Sequence, residues 1–98
     1  MKYDNLRLTC RSVEPFFTLE KDGLKPNTIR VVPVDELVAL ARCEVITVRH
    51  HKTDGTDGAD FGRTITDITD ITEPLVDWGE VVCPEGFRIV CISWEVLR

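Results

Sequence analysis

Lys25, Thr28 and Arg30 fall within six residues of one another, inside the stretch VEPFFTLEKDGLKPNTIRVV from Val13 to Val32. An ammonium is a compact point charge, a guanidinium a planar fork of donors, and a hydroxyl both gives and accepts a hydrogen bond. Together they suit a phosphate, a carboxylate or the polar edge of a base. The alternative is two solvated cations paired with Asp22 or Glu20. If Lys25 is such an exposed ligand-binding group, Lys25→Ala should abolish binding and leave the melting temperature nearly unchanged.

Other residues with chemical potential are weaker candidates. Arg49-His50-His51-Lys52 is a compact basic run, but neighbours in a strand face opposite ways, so His50 and His51 cannot easily share one metal ion. Arg49 or His51 could instead contribute charge to the same positive pocket. Asp54, Asp57 and Asp60 suggest calcium, yet a loop of the EF-hand type needs Glu at its twelfth position and Ile65 stands there. A hairpin turn explains them better, and no metal site is expected. If there is acid–base chemistry, Lys25 with Asp67 or Glu80 is the combination to test, with Thr28 as the hydroxyl. Trp78, in a polar loop, could stack on a base, whereas Trp94 belongs in a core.

The elements that must position these groups follow from periodicity. Tyr3 to Cys10 alternates as a half-buried strand. Ser12 then suits an N-cap, and Val13, Phe16 and Phe17 form the inward stripe of a short helix whose Glu20, Lys21 and Asp22 face water. Gly23 stops that helix. Asn27 to Val32 is β-branched and strand-like, and Val34, Leu37, Val38 and Ala41 mark a second short helix. Cys43 to His51 is a strand, Thr53 to Asp60 a turn, and Phe61 to Ile71 a strand again. The repeat ITD-ITD-ITE has period three, which fits a bulged strand changing face near Asp67. Glu73 to Gly86 is irregular, broken by Pro74, Gly79, Pro84 and Gly86, and Phe87 to Leu97 is a central strand. Five or six strands and two short helices suit an α+β fold, a small, mostly antiparallel β-barrel with helices on one side.

With 98 residues and 43% hydrophobic content, the chain fits one domain, residues 1–98, around one core. No apolar stretch has the length of a membrane span and no signal peptide is evident, so a cytoplasmic protein is expected. Cys10, Cys43, Cys83 and Cys91 form no C-x-x-C pair and read mostly as reduced, small apolar residues. The net charge of −5 is uneven: residues 1–52 carry +2 and residues 53–98 carry −7. A body of this charge repels a phosphate backbone as a whole, but leaves room for a local positive cleft in the first half.

Gly23-Leu24-Lys25-Pro26-Asn27-Thr28-Ile29-Arg30, preceded by Phe16-Phe17, resembles the ASCH domain, a branch of the PUA-like barrels. That family runs a helix into G-[RK]-K-T-x-x-[IL]-R; glycine, lysine, isoleucine and arginine match here without a gap. Phe61-x-Arg63-x-Ile65 and the strand from Phe87 to Trp94 are similar to its later strands. The resemblance implies a PUA-like barrel and a pocket for a nucleotide, a modified nucleoside or an RNA end, with Lys25, Thr28 and Arg30 on the ligand and Arg63 and Arg49 beside it. No cofactor is implied. Two departures count against hydrolysis of acetylated cytidine, the activity of some relatives. Pro26 replaces the family threonine and has no hydroxyl. The helix from Pro33 to Arg42 replaces a Gly-Asp turn. A binding domain is therefore the leading expectation and a weak amidohydrolase the third. The second, of another class, is a non-enzymatic inhibitor of the kind phages encode, whose acidic Asp54 to Glu85 region would engage a basic protein partner.

Overall fold

In the computed structural model, which describes residues 1–77, 79 and 81–96, Tyr3 to Cys10 is a hairpin and not one strand. Strand β1 (Lys2–Asp4) turns at Asn5 into β2 (Arg7–Ser12). Asn5 has φ 54°, a left-handed angle that asparagine tolerates. Leu8 and Cys10 are buried as the alternation requires, while Leu6 falls in the turn and is exposed.

β2 continues through Ser12, which stands opposite His50 in a parallel ladder and so is not the expected helix cap. Helix α1 (Phe16–Lys21) starts at Pro15 with no side-chain cap. Its end is as the sequence indicates. Gly23 takes φ 79°, its N–H donates to Glu20 O (3.4 Å), and Leu24 N–H donates to Leu19 O (3.0 Å). This is a Schellman stop, and it folds the chain back along the helix end. Strand β3 (Asn27–Pro33) follows, and a 3₁₀ turn (Val34–Glu36) leads into α2 (Leu37–Ala41). The tighter turn changes the expected phase: Leu40 is buried with Leu37 against the core, whereas Val34 and Val38 are exposed.

β4 (Val45–His51) and β5 (Asp57–Asp70) form a hairpin. Its turn is shorter than composition suggests. Asp54 Oδ1 accepts from Thr56 N–H and Oγ1 at 2.9 and 2.6 Å, and Asp57 to Asp60 already belong to the strand. β5 changes register between Ile65, opposite Trp94, and Asp67, opposite Ser93, so Thr66 is the extra residue of a bulge. Up to Thr64 β5 pairs with β4 and from Ile65 onward with β6 (Phe87–Trp94), which is how the sheet turns its corner. The segment expected to be irregular opens instead with α3 (Thr72–Asp77). Pro74 lies in its first turn, where the missing N–H costs no helical bond.

Among the described residues the strand order is β1-β2-β4-β5-β6-β3, a six-stranded mixed sheet curled into a half-barrel, with three short helices. The α+β class and a barrel-like curl agree with the expectation; a mostly antiparallel barrel with two helices needs correction. β2 and β4 are parallel, because the chain between them crosses to the far edge of the sheet, forms β3 there and returns through α2. Side-chain alternation is the same in either direction and could not reveal this. The core holds Leu8, Ile46, Val48, Val90, Ile92 and Trp94 from the sheet and Phe17 and Leu40 from helices. No helix among the described residues is long and apolar enough to cross a membrane.

Arg88 ties β6 to the start of α3. Its guanidinium donates to Asp70 Oδ2 at 2.7 Å and to Glu73 Oε1 and Oε2 at 2.6 and 2.7 Å. These bonds, with those from Thr72, hold the Asp70 carboxyl down at about 2, and Glu73 is lowered by the same arginine. A folded-state pKa below the unfolded value adds stability above about pH 4 that is lost as pH falls through about 2. Urea midpoints measured from pH 6 to pH 2 should therefore fall through that window. Arg88→Met should start lower at pH 6 and fall less; parallel curves for the two proteins would contradict this role for the pair.

Candidate functional site

The half-barrel stays open between β3 and β2, and the opening is a cleft of about 430 Å³. That volume is within the usual range for small-ligand pockets. β3 points Thr28, Arg30 and Val32 inward and Ile29 and Val31 outward, by simple alternation. The Schellman stop brings Lys25 back beside α1. Glu20 is the last inward residue of that helix, three positions after Phe17 and so on the same face. Lys25, Thr28 and Arg30 thus meet in one cleft, with Glu20 as a fourth group.

Glu20 was expected to face water, but it is 1% exposed. The helix is only six residues long, and burying Phe17 at one end carries Glu20 inward at the other. Its Oε2 accepts from Lys25 Nζ at 3.0 Å, while its Oε1 is buried with no hydrogen-bond partner. Lys25 also donates to Asn27 O at 2.7 Å, and its side chain is 30% exposed. Arg30 Nε donates to the buried Thr28 Oγ1 at 3.1 Å, and Nη2 donates across the opening to Arg11 O at 2.6 Å. Among the described residues Arg30 has no carboxylate partner, and its Nη1 forms no hydrogen bond. Thr28 accepts from Arg30, so its own proton is left for another acceptor. Cys10 lies beneath this group; burial pushes its thiol pKa up, and Arg30 opposes that shift.

Over this polar floor lies an apolar rim of Val13, Phe16 and Ile29, each about half exposed. Val13 and Phe16 were expected in the core. Phe17 alone takes that place, its ring tilted against Phe61 with centroids 5.4 Å apart. Phe16 is left at the mouth, with Lys25 Nζ 5.9 Å from its ring centre. A site of this kind offers a face to stack on, two cationic donors, a hydroxyl donor and an unsatisfied acceptor. Sequence reasoning missed Glu20, Phe16 and Val13 as site residues. The i, i+3 spacing of Phe17 and Glu20 was the signal for the first, had the helix been phased on Phe17.

The remaining expected site residues lie elsewhere. Arg63 donates to Lys21 O at 3.0 Å and stacks on Phe61 at 4.8 Å, so it fastens the end of α1 to β5 and does not line the cleft. Asp67 is exposed on β5, opposite Ser93. It is absent from the cleft wall and does not approach Lys25 there. Arg49 stands on β4, 3.6 Å from Asp60, in a neighbouring groove. His50 stacks on Phe17 (4.8 Å, 15°), and His51 faces Asp57 at 3.5 Å. Glu80 and Trp78 lie outside the described residues. Trp94 is core, as expected.

No family profile, characterised protein or solved structure matches the chain.

Proposed function

We propose that this chain is an ASCH-like, PUA-like binding domain that holds a nucleotide, a modified nucleoside or an RNA end in the cleft between β2 and β3. The observation that carries this reading is the meeting of Glu20, Lys25, Thr28 and Arg30 under an aromatic and aliphatic rim. Base edges alternate donors and acceptors, and an unpaired base offers a flat face to stack. An exocyclic amine or ring N–H would satisfy Glu20 Oε1, carbonyl or ring-nitrogen acceptors would take Lys25, Arg30 or Thr28, and Phe16 would cover the ring.

Binding without turnover is the simpler reading. Pro26 supplies no hydroxyl, Thr28 Oγ1 is held by Arg30, and the Lys25 ammonium is engaged by Glu20. The acidic-inhibitor alternative has less support. Four carboxylates of the second half, Asp57, Asp60, Asp70 and Glu73, are paired with Arg11, Arg49 and Arg88 and present less free charge than their number suggests.

Isothermal titration with a panel of ribonucleosides and modified nucleosides tests the reading through Arg30. Arg30→Lys keeps the charge but cannot bond Thr28 and Arg11 at once and still face a ligand, so affinity should fall roughly 10- to 100-fold, worth about 1.4–2.7 kcal/mol. Unchanged affinity in that variant, or no binding by any nucleoside or nucleotide, would sink the proposal.

A further inference from the structure

Arg30 is also a wall of a second groove, of about 460 Å³, which is lined besides by Lys2, Thr9, Arg11 and Arg49. The groove shares Arg11 and Arg30 with the cleft, and no acidic side chain is among its lining within the described residues. We infer that this groove is an anion subsite that takes the phosphate of a ligand whose base occupies the cleft, with Arg30 held between the two. The inference rests on the nucleoside-binding reading of the cleft and narrows it to phosphorylated nucleosides, including a phosphorylated strand end.

Register is the first argument. β2 and β4 run parallel with Arg11 directly opposite Arg49, and on β1 Lys2 stands opposite Thr9. Like charges facing each other across a ladder repel, so a sheet built only for stability gains nothing from this pair. Asp57 and Asp60 offset it partly, the first by a two-point contact with Arg11 at 3.0 and 3.2 Å and the second at 3.6 Å from Arg49. The offset is incomplete, because Lys2 and Arg30 have no carboxylate within 4.0 Å among the described residues.

Geometry is the second argument. Arg30 reaches across the open seam from β3 and borders both the cleft and the groove. Its donors on Thr28 and Arg11 fix the plane of the fork. Among the described residues its Nη1 keeps its N–H groups free, and a charge-assisted bond from a fixed guanidinium to a phosphate oxygen is short and strong. Lys2 and Arg49 add mobile charge at the rim, and Thr9 adds a hydroxyl. The separation of base contacts on one side from phosphate contacts on the other is the division of labour that nucleic-acid sites show.

The test compares each ribonucleoside with its 5′-monophosphate and with inorganic phosphate, by calorimetry and amide chemical shifts on the whole chain. The monophosphate should bind about 10-fold tighter or better than its nucleoside, the size expected of one charge-assisted contact. Lys2→Ala combined with Arg49→Ala should lower that ratio, and raised salt should shrink it in the unaltered protein. Both substitutions are on exposed or half-exposed side chains, and the ratio is read within one protein, so a modest loss of stability does not mimic the result. Equal affinity for nucleoside and monophosphate, or a ratio untouched by the double substitution, overturns the subsite. If inorganic phosphate shifts Lys2, Arg11 and Arg49 while no nucleoside binds, the subsite stands and the base-binding reading falls. If nucleosides bind and the phosphate adds nothing, the reverse holds.

Discussion

Lys25→Ala is expected to lower stability by about 2–3 kcal/mol as well as to abolish ligand binding, against the exposed-lysine expectation of an unchanged melting temperature. The cause is the residue it faces. Glu20 is 1% exposed, and Lys25 Nζ is the only hydrogen-bond partner of its carboxylate among the described residues. Removing one partner of a buried ion pair leaves an uncompensated charge, which typically costs about 3–5 kcal/mol. The lysine side chain is 30% exposed, so water can enter where it stood, and the lower figure applies. For a domain of this size that is a drop of roughly 10–20 °C in melting temperature. Thermal unfolding by circular dichroism reads it directly. A shift under about 2 °C would mean that Glu20 is solvated in solution and the pair is not closed.

Glu20→Leu should do the opposite to stability and the same to binding. The carboxylate has one orphaned oxygen, and an unsatisfied buried acceptor costs about 1–3 kcal/mol. Leucine has similar bulk and no polar atom, while Lys25 keeps Asn27 O and water. The charge left behind is that of Lys25, whose side chain is 30% exposed and so stays solvated, unlike the buried carboxylate that Lys25→Ala strands. A gain of about 1 kcal/mol, roughly 4–8 °C, is expected, together with loss of ligand affinity by a factor of ten or more. A fold that keeps a residue more stable without it is retaining it for another purpose. If Glu20→Leu destabilises as much as Lys25→Ala, Glu20 is a structural brace and not a ligand acceptor. The double variant Lys25→Met with Glu20→Leu should recover most of what Lys25→Ala loses, since the uncompensated charge is gone.

Much of this site was legible in the sequence because its positioning is local. Gly23 announces the helix stop, and three residues of β3 alternate from there, so Lys25, Thr28 and Arg30 could be assigned to one place. The bulge near Asp67 was legible too, since a period of three does not fit a straight strand. What failed was long-range or a matter of phase. Arg63 was assigned to the pocket by sequence similarity, yet it is spent on the Lys21 carbonyl. Glu20 looked like any charged residue at a helix end; its burial depends on a helix too short to keep Phe17 in and Glu20 out. The parallel pairing of β2 with β4 places Arg11 beside Arg49, and no local pattern encodes which distant strand a strand will join. Pro74 read as a breaker, although the first turn of a helix accepts it.

The central claim is that the cleft between β2 and β3 receives a base. A residue-resolved NMR titration of the 98-residue chain with nucleosides, their monophosphates and short RNA tests it most directly. The account predicts saturable shifts centred on Phe16, Glu20, Lys25, Thr28 and Arg30, with Asp67 and α3 unmoved. Shifts confined to the acidic β5–α3 surface, or none at any residue of the cleft, would contradict it.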